Sequence, residues 1–178
     1  MPLELRSLTL ADEAAFLTGA RAWDGEDLTW YSFSWQPGVD YGEHLQRLAN
    51  NAEGVDLPTG HVPGSMLYAF VDGQIVGRVS VRHELNEFLR TRGGHIGYAV
   101  APAFRRKGHA TRMFEQALAF CRRRGMSRVL LTCDDSNIAS VRMIERAGGV
   151  LEDIRDDVDG QPQPPFRRYW IDLDHDDD

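Results

Sequence analysis

The apolar positions of this chain alternate between two periods. Residues 3–8 read as a short strand, and 11–23 place Ala14, Phe16, Leu17 and Ala20 at helical spacing. Over 28–35 the pattern gives way to aromatics (Trp30, Tyr31, Phe33 and Trp35), after which 41–52 reads again as helix. Pro58, Gly60, Pro63 and Gly64 mark a loop. Residues 66–71 and 75–83 read as two strands joined by Asp72-Gly73, a dipeptide that tolerates the positive φ angles of a tight hairpin. Another strand is expected at 95–100, after Gly93-Gly94 and before Ala101-Pro102. Ala110, Met113, Phe114, Ala117, Leu118 and Cys121 then form one continuous stripe, which predicts an amphipathic helix stopping at Gly125. Residues 129–133 suit a strand buried on both faces. Asn137 can cap a further helix with Ile138, Val141, Ile144 and Ala147 on its stripe, ending at Gly148-Gly149. Closing strands are expected at 150–154 and 166–173, separated by an acidic, proline-rich loop.

Composition narrows the class. With 178 residues, 42% hydrophobic and 26% charged, the chain can bury one sizeable core, so a single domain spanning 1–178 is expected. A net charge of −7 argues against a nucleic-acid partner held by a broad basic surface and favours a cationic one. Neither the Arg105-Arg106-Lys107 nor the Arg122-Arg123-Arg124 cluster is accompanied by an aromatic stacking motif. The N-terminus lacks the basic and apolar regions of a signal peptide, and no apolar run is long enough to cross a bilayer; a cytoplasmic protein without a membrane partner is expected. Cys121 and Cys133 read as free thiols. The end, His175-Asp176-Asp177-Asp178, reads as a solvated acidic tail rather than a metal site.

The chemistry concentrates in Arg105-Arg106-Lys107-Gly108-His109-Ala110, between an expected strand and the strongest expected helix. A helix N-terminus presents unpaired N–H groups and the positive end of the helix dipole to an anion. Gly108 and Ala110 keep that approach clear, and the basic triplet adds attraction. The loop is neither a Walker A sequence nor a Gly-x-Gly-x-x-Gly fingerprint, so nucleoside triphosphates and NAD lose support.

The loop resembles the acyl-CoA loop of the GNAT acetyltransferase superfamily, Gln/Arg-x-x-Gly-x-Gly/Ala, matched by Arg105, Gly108 and Ala110. Upstream, Ile96-Gly97-Tyr98-Ala99-Val100-Ala101-Pro102 resembles the family's fourth strand, and downstream Val129-Leu130-Leu131-Thr132-Cys133 resembles its fifth. Asn137-Ile138-Ala139-Ser140 with Glu145-Arg146-Ala147-Gly148 resembles the helix that follows. The stretches Arg82-His83-Glu84-Leu85-Asn86-Glu87-Phe88-Leu89, Gly148-Gly149-Val150-Leu151-Glu152 and Arg168-Tyr169-Trp170-Ile171 are similar to a bacterial subgroup of predicted acetyltransferases. The resemblance implies an α/β (α+β) GNAT fold: a mixed, mostly antiparallel sheet of about seven strands, splayed between strands 4 and 5 and flanked by about four helices. It implies an acceptor-side region at 1–65, an acetyl-CoA-binding core at 66–155, and a closing strand with the tail at 156–178. It further implies acetyl-CoA as cosubstrate, with no metal. The implied cofactor groups are the backbones of Tyr98, Ala99 and Val100, the loop residues Arg105, Arg106, Lys107, Gly108, His109 and Ala110, and Asn137 with Ser140.

The implied activity is acetyl transfer to a primary amine of a small molecule or protein by direct attack in a ternary complex; the alternative is an acyl-CoA-binding sensor without turnover. The amine must lose its proton before it attacks, so a base or a water path is needed. Many relatives carry a tyrosine seven residues after the asparagine as acid for the departing thiolate, and this chain has Ile144 there. The fourth strand offers no glutamate. His95 is one candidate base, and Glu84 and Glu87, expected at the end of the preceding strand, are two others. His83-Glu84-Leu85-Asn86-Glu87 lacks the second histidine of a zinc-protease motif. Tyr169 is a weaker candidate acid, since packing explains it equally well. Trp30, Tyr31, Phe33 and Trp35 are candidates for an acceptor wall or for ordinary core. A homodimer is left open.

Overall fold

The computed structural model describes residues 2–23 and 25–173; the acidic tail at 175–178 lies outside the described residues. Strands β1 (Glu4–Arg6), β2 (Gly64–Val71), β3 (Gln74–Arg82) and β4 (Ile96–Val100) form one antiparallel sheet in the order β1-β2-β3-β4. Strands β5 (Arg128–Asp134), β6 (Val150–Val158) and β7 (Gln161–Asp172) form a second, in the order β5-β7-β6. Helices α1 (Glu13–Arg21) and α2 (Tyr41–Glu53) precede β2. Helix α3 (Glu87–Thr91) leads into β4, α4 (His109–Arg123) joins β4 to β5, and α5 (Ile138–Arg146) follows β5. No helix among the described residues is long and apolar enough to cross a membrane.

The seven strands and the break between the fourth and the fifth agree with the expected fold. Two local expectations are corrected. Residues 84 and 87 do not extend a strand: β3 stops at Arg82 and Glu87 opens α3. The Asn86 side chain accepts the Leu89 amide at 2.9 Å and caps this short helix. The expected acidic loop near 155–165 is instead a hairpin, with Val158 facing Gln161 across Asp159 (φ 51°) and Gly160 (φ 73°). It uses the same Asp-Gly signal as the turn at Asp72 and Gly73. Pro162, Pro164 and Pro165 are tolerated because pairing with β5 begins only at Phe166, so this half of β7 has a neighbour on one side.

Alternation along the first sheet creates two hydrophobic faces. Val79 and Val81 point into a core shared with Met113 and Phe114 of α4 and Leu131, Tyr169 and Ile171 of the second sheet. The other face packs under α1 and α2 around Phe16, Tyr31, Trp35, Tyr41 and Tyr68. The α4 stripe is buried from Met113 to Cys121 as expected. In α5, Val141 and Ile144 are buried but Ile138 is 49% exposed. The aromatic segment divides: Tyr31 and Trp35 are core, whereas Trp30 and Phe33 stand 53% and 57% exposed.

Candidate functional site

The two sheets meet around His95 and then part. The His95 amide donates to the Leu130 carbonyl and the Leu130 amide donates to His95 Nδ1, both at 2.8 Å. From Ile96 to Val100, β4 pairs with β3 alone. In an antiparallel ladder the bonded pairs alternate. The Ala101 amide donates to the Val76 carbonyl at 2.9 Å, so the bonded partners further along are Ala99 with Arg78 and Gly97 with Ser80. The backbone groups of Tyr98 and Val100 therefore face the gap, while those of Ala99 are used within the sheet. Of the three backbones proposed for cofactor pairing, two are available and Ala99 is not. The Val100 carbonyl accepts Arg105 Nε at 3.0 Å, which leaves its amide.

The Tyr98 side chain runs across the gap. Its hydroxyl lies 2.7 Å from Ser140 Oγ on α5, and its ring packs 6.0 Å from Phe114. Asn137 caps α5 by accepting the Ser140 amide through Oδ1 at 3.2 Å. Cys133 is half-buried beside the gap, and burial pushes its thiol up to about 11, so it stays protonated at neutral pH.

At the end of the unpaired β4 edge stands the N-terminus of α4. Gly108 is its N-cap with φ 79°, a left-handed conformation that favours glycine, and Arg106 is also left-handed at φ 60°. Among the described residues the amides of Arg106, Lys107, Gly108, His109, Ala110 and Thr111 have no hydrogen-bond acceptor. The side chains are partly engaged: Arg105 forms a two-bond ion pair with Glu26, and Lys107 donates to the Ala103 carbonyl at 3.1 Å. His109 Nδ1 is buried with no partner. Burial and the neighbouring Arg112 and Lys107 charges lower the His109 pKa, keeping the ring neutral. The residues thus offer a strand edge for an amide-bearing chain and a helix end for an anion, and they fit an acyl-CoA.

Two cavities open on the α1–α2 face of the first sheet. One of about 430 Å³ is lined by Trp23, Glu26, Trp30, Ala99 and Arg105. A larger one of about 630 Å³ lies between α2, the loop before β2 and α3, with Phe33, Leu48, Met66 and Phe88 in its walls. Ser80 and Arg82 of β3 also line it.

The acid–base candidates are scattered. Glu84 and Glu87 are exposed and line neither cavity. His95 is buried at the junction of the sheets, its Nδ1 occupied by the Leu130 amide. Burial, with Arg90, Arg82 and Arg128 nearby, lowers it to about 4, which makes it a weak base. The Tyr169 hydroxyl donates to Glu145 Oε1 at 3.0 Å and accepts from Arg167 Nη1 at 3.2 Å. Its ring is core, as is Ile144, which occupies the position of the family's tyrosine. Sequence reasoning missed Glu26, Arg78, Ser80 and Arg82. A legible signal existed for the last three, because Arg78-x-Ser80-x-Arg82 is a polar row of period two inside an otherwise apolar strand.

These features belong to a known class. The chain matches the acetyltransferase (GNAT) family model over residues 26–149, and it belongs to that family. Among solved structures it shares its fold with a ribosomal L7/L12 α-N-protein acetyltransferase in complex with coenzyme A. That pair is 20% identical, with 98% of this chain and 96% of the other covered and a TM-score of 0.63. A spermidine N-acetyltransferase chimera from Vibrio cholerae and hSSAT gives 18% identity, 97% and 96% coverage and a TM-score of 0.62. A Salmonella typhimurium protein solved with its cofactor acetyl-CoA gives 18%, 99% and 96%, and 0.60. No curated protein matches the chain in sequence.

Proposed function

We propose that the protein transfers acetyl from acetyl-CoA to a primary amine by direct attack in a ternary complex. The observation that carries this is the unpaired edge of β4 at Tyr98 and Val100 running up to the unpaired amides at the N-terminus of α4. Acetyl-CoA supplies an activated acetyl thioester when bound. The β4 edge then pairs with the pantetheine arm as an added strand would. The amides at 107–110 receive the pyrophosphate, with Arg106 and Lys107 adding attraction. The Val100 amide, unpaired by β3, is available to polarise the thioester carbonyl. Asn137 orients the start of α5 and keeps its Nδ2 for the arm, and Ser140 closes the gap through Tyr98.

Proton removal from the amine is assigned to water rather than to one side chain. A lysine-like amine has a pKa of about 10.4, so a small neutral fraction exists at pH 8 and a water path can draw on it. His95 is held as an acceptor and has a depressed pKa, and Glu84 and Glu87 stand outside both cavities. A gradual rise of kcat/KM with pH from 6 to 9 is expected, with no inflection near 4 to 5. A donor of this kind is consistent with a cytoplasmic setting.

Acetyl-CoA-dependent release of free thiol with a panel of amines tests the reading. Release that rises with amine concentration supports it. Tight acetyl-CoA binding with no amine-dependent release would favour a sensor, a reading to which buried Ile144 in place of an acid lends some support.

A further inference from the structure

The α1–α2 face of the first sheet carries two arginines that have no carboxylate partner among the described residues; Arg82 lines the larger cavity, and Arg78 lies behind it, lining neither cavity. Arg78 is 1% exposed. Its Nε donates to the Trp30 carbonyl at 2.6 Å and its Nη1 donates to Ser80 Oγ at 3.2 Å. The guanidinium lies 4.4 Å from the Phe33 ring centre and 5.8 Å from that of Trp30. Its Nη2 has no hydrogen-bond partner among the described residues. Arg82, on the same face of β3, donates Nη1 to the Gly93 and Gly94 carbonyls at 3.3 Å and lines the larger cavity. Among the described residues no Asp or Glu forms an ion pair with either arginine. Burial lowers Arg78 to about 10, and the Arg82 charge adds to that lowering.

A buried cation without a counter-ion is costly, and a guanidinium presents paired donors that match a carboxylate. The row Arg78, Ser80, Arg82 also faces Gly97 of β4. A Cβ there would stand 3.1 Å from Ser80 Oγ and 3.6 Å from Arg82 Nη1, so the glycine keeps open the space above these donors. The neighbouring residue is Tyr98, whose backbone faces the gap on the other side of the strand. A negative group bound here would sit within a residue or two of the acetyl donor's path. The other walls of the larger cavity are mostly apolar, with Phe33, Leu48 and Met66, and Asn51 and Asp56 stand among them.

We propose that Ser80 and Arg82, with Arg78 behind them, form a carboxylate-binding row, and that the acceptor is an amino-acid-like amine carrying a carboxylate and an apolar side chain. The proposal rests on the acetyltransferase reading for its chemistry. It also reverses the expectation drawn from the net charge of −7, since the β3 row is cationic in a globally acidic protein. Recognition of this kind separates an acid from its amide by the difference between a filled and an empty guanidinium site.

The test compares L-leucine and L-phenylalanine with their carboxamides in acetyl-CoA-dependent thiol release, using the full chain, Arg82→Gln and Arg78→Lys. The amine of an amide is the weaker base and more often neutral, so chemistry alone favours the amides. The expected result is a preference for the acids of at least tenfold in kcat/KM, collapsing toward one in Arg82→Gln. Arg78→Lys, which keeps the charge but loses the fork, should fall between. Equal use of acid and amide by the unaltered protein overturns the proposal, as does an unchanged ratio in Arg82→Gln, the less buried and safer of the two variants. Calorimetric titration with N-acetyl-L-leucine, without acetyl-CoA, separates the two readings. Binding that weakens at least tenfold in Arg82→Gln, with no thiol release from any amine, keeps the carboxylate row and removes the acetyltransferase. Amine-dependent release without acid preference does the reverse.

Discussion

Arg105 and Glu26 are joined by two parallel hydrogen bonds, Nη1 to Oε1 at 2.8 Å and Nη2 to Oε2 at 2.7 Å. The pair ties the loop before α4 to the segment after α1, and both residues line the smaller cavity. Arg105 also donates Nε to the Val100 carbonyl, so the first residue of the loop pattern braces β4 instead of reaching toward an anion. Its side chains are 47% and 34% exposed, which limits what the pair contributes. Glu26→Gln should lower stability by less than about 1 kcal/mol. Urea unfolding at low and high salt checks this, because the difference from the unaltered protein should shrink as salt screens the pair.

Gly108 caps α4 at φ 79° with nothing within 4 Å of where a Cβ would be. Substitution therefore introduces backbone strain without a clash. Gly108→Ala should cost about 1 kcal/mol in denaturant unfolding and weaken acetyl-CoA binding severalfold, because it displaces the unpaired amides to which the proposed function assigns the pyrophosphate. Gly108→Asn should recover part of both losses, since asparagine tolerates this conformation better.

The Tyr98 and Ser140 hydroxyls, 2.7 Å apart, close the gap between β4 and α5. Removing either partner, in Tyr98→Phe or Ser140→Ala, should cost about 1 kcal/mol. The double variant should cost little more than one single variant, and a double-mutant cycle by urea unfolding reads that coupling.

The His95 imidazole, lowered to about 4 from 6.5, makes stability depend on pH. Between those values the unfolded chain binds the proton and the folded protein does not. The contribution is therefore complete above about pH 6.5 and is lost as pH falls toward 4, on the order of 2 kcal/mol. His44, also buried and lowered to about 4, acts with the same sign, so a comparison is needed. His95→Asn keeps an acceptor near the Leu130 amide without the titration. Its stability should decline less steeply from pH 7 to 5 than that of the unaltered protein, measured by thermal unfolding.

The elements that the sequence revealed are those governed by local chemistry. The α4 stripe, the cap at Asn137, the glycine at 108 and the Asp72-Gly73 turn each depend on residues close in the chain. The hairpin at Asp159 and Gly160 was equally local, but three nearby prolines hid it until the one-sided pairing of β7 explained them. The candidate bases show the opposite case. Glu84 and Glu87 stood near the expected splay in sequence, yet the Asn86 cap turns the chain into α3 and carries them outward.

By itself the sequence determined a helix start bearing Gly108 and reached from a strand, whose unpaired amides suit an anion. Only the tertiary structure decided the rest. Which edge of β4 stays unpaired depends on where His95 meets Leu130, and which polar residues become a buried row depends on β3 packing beneath Trp30 and Phe33. Both arise from segments far apart in the chain, whose meeting is fixed by packing and not by local pattern.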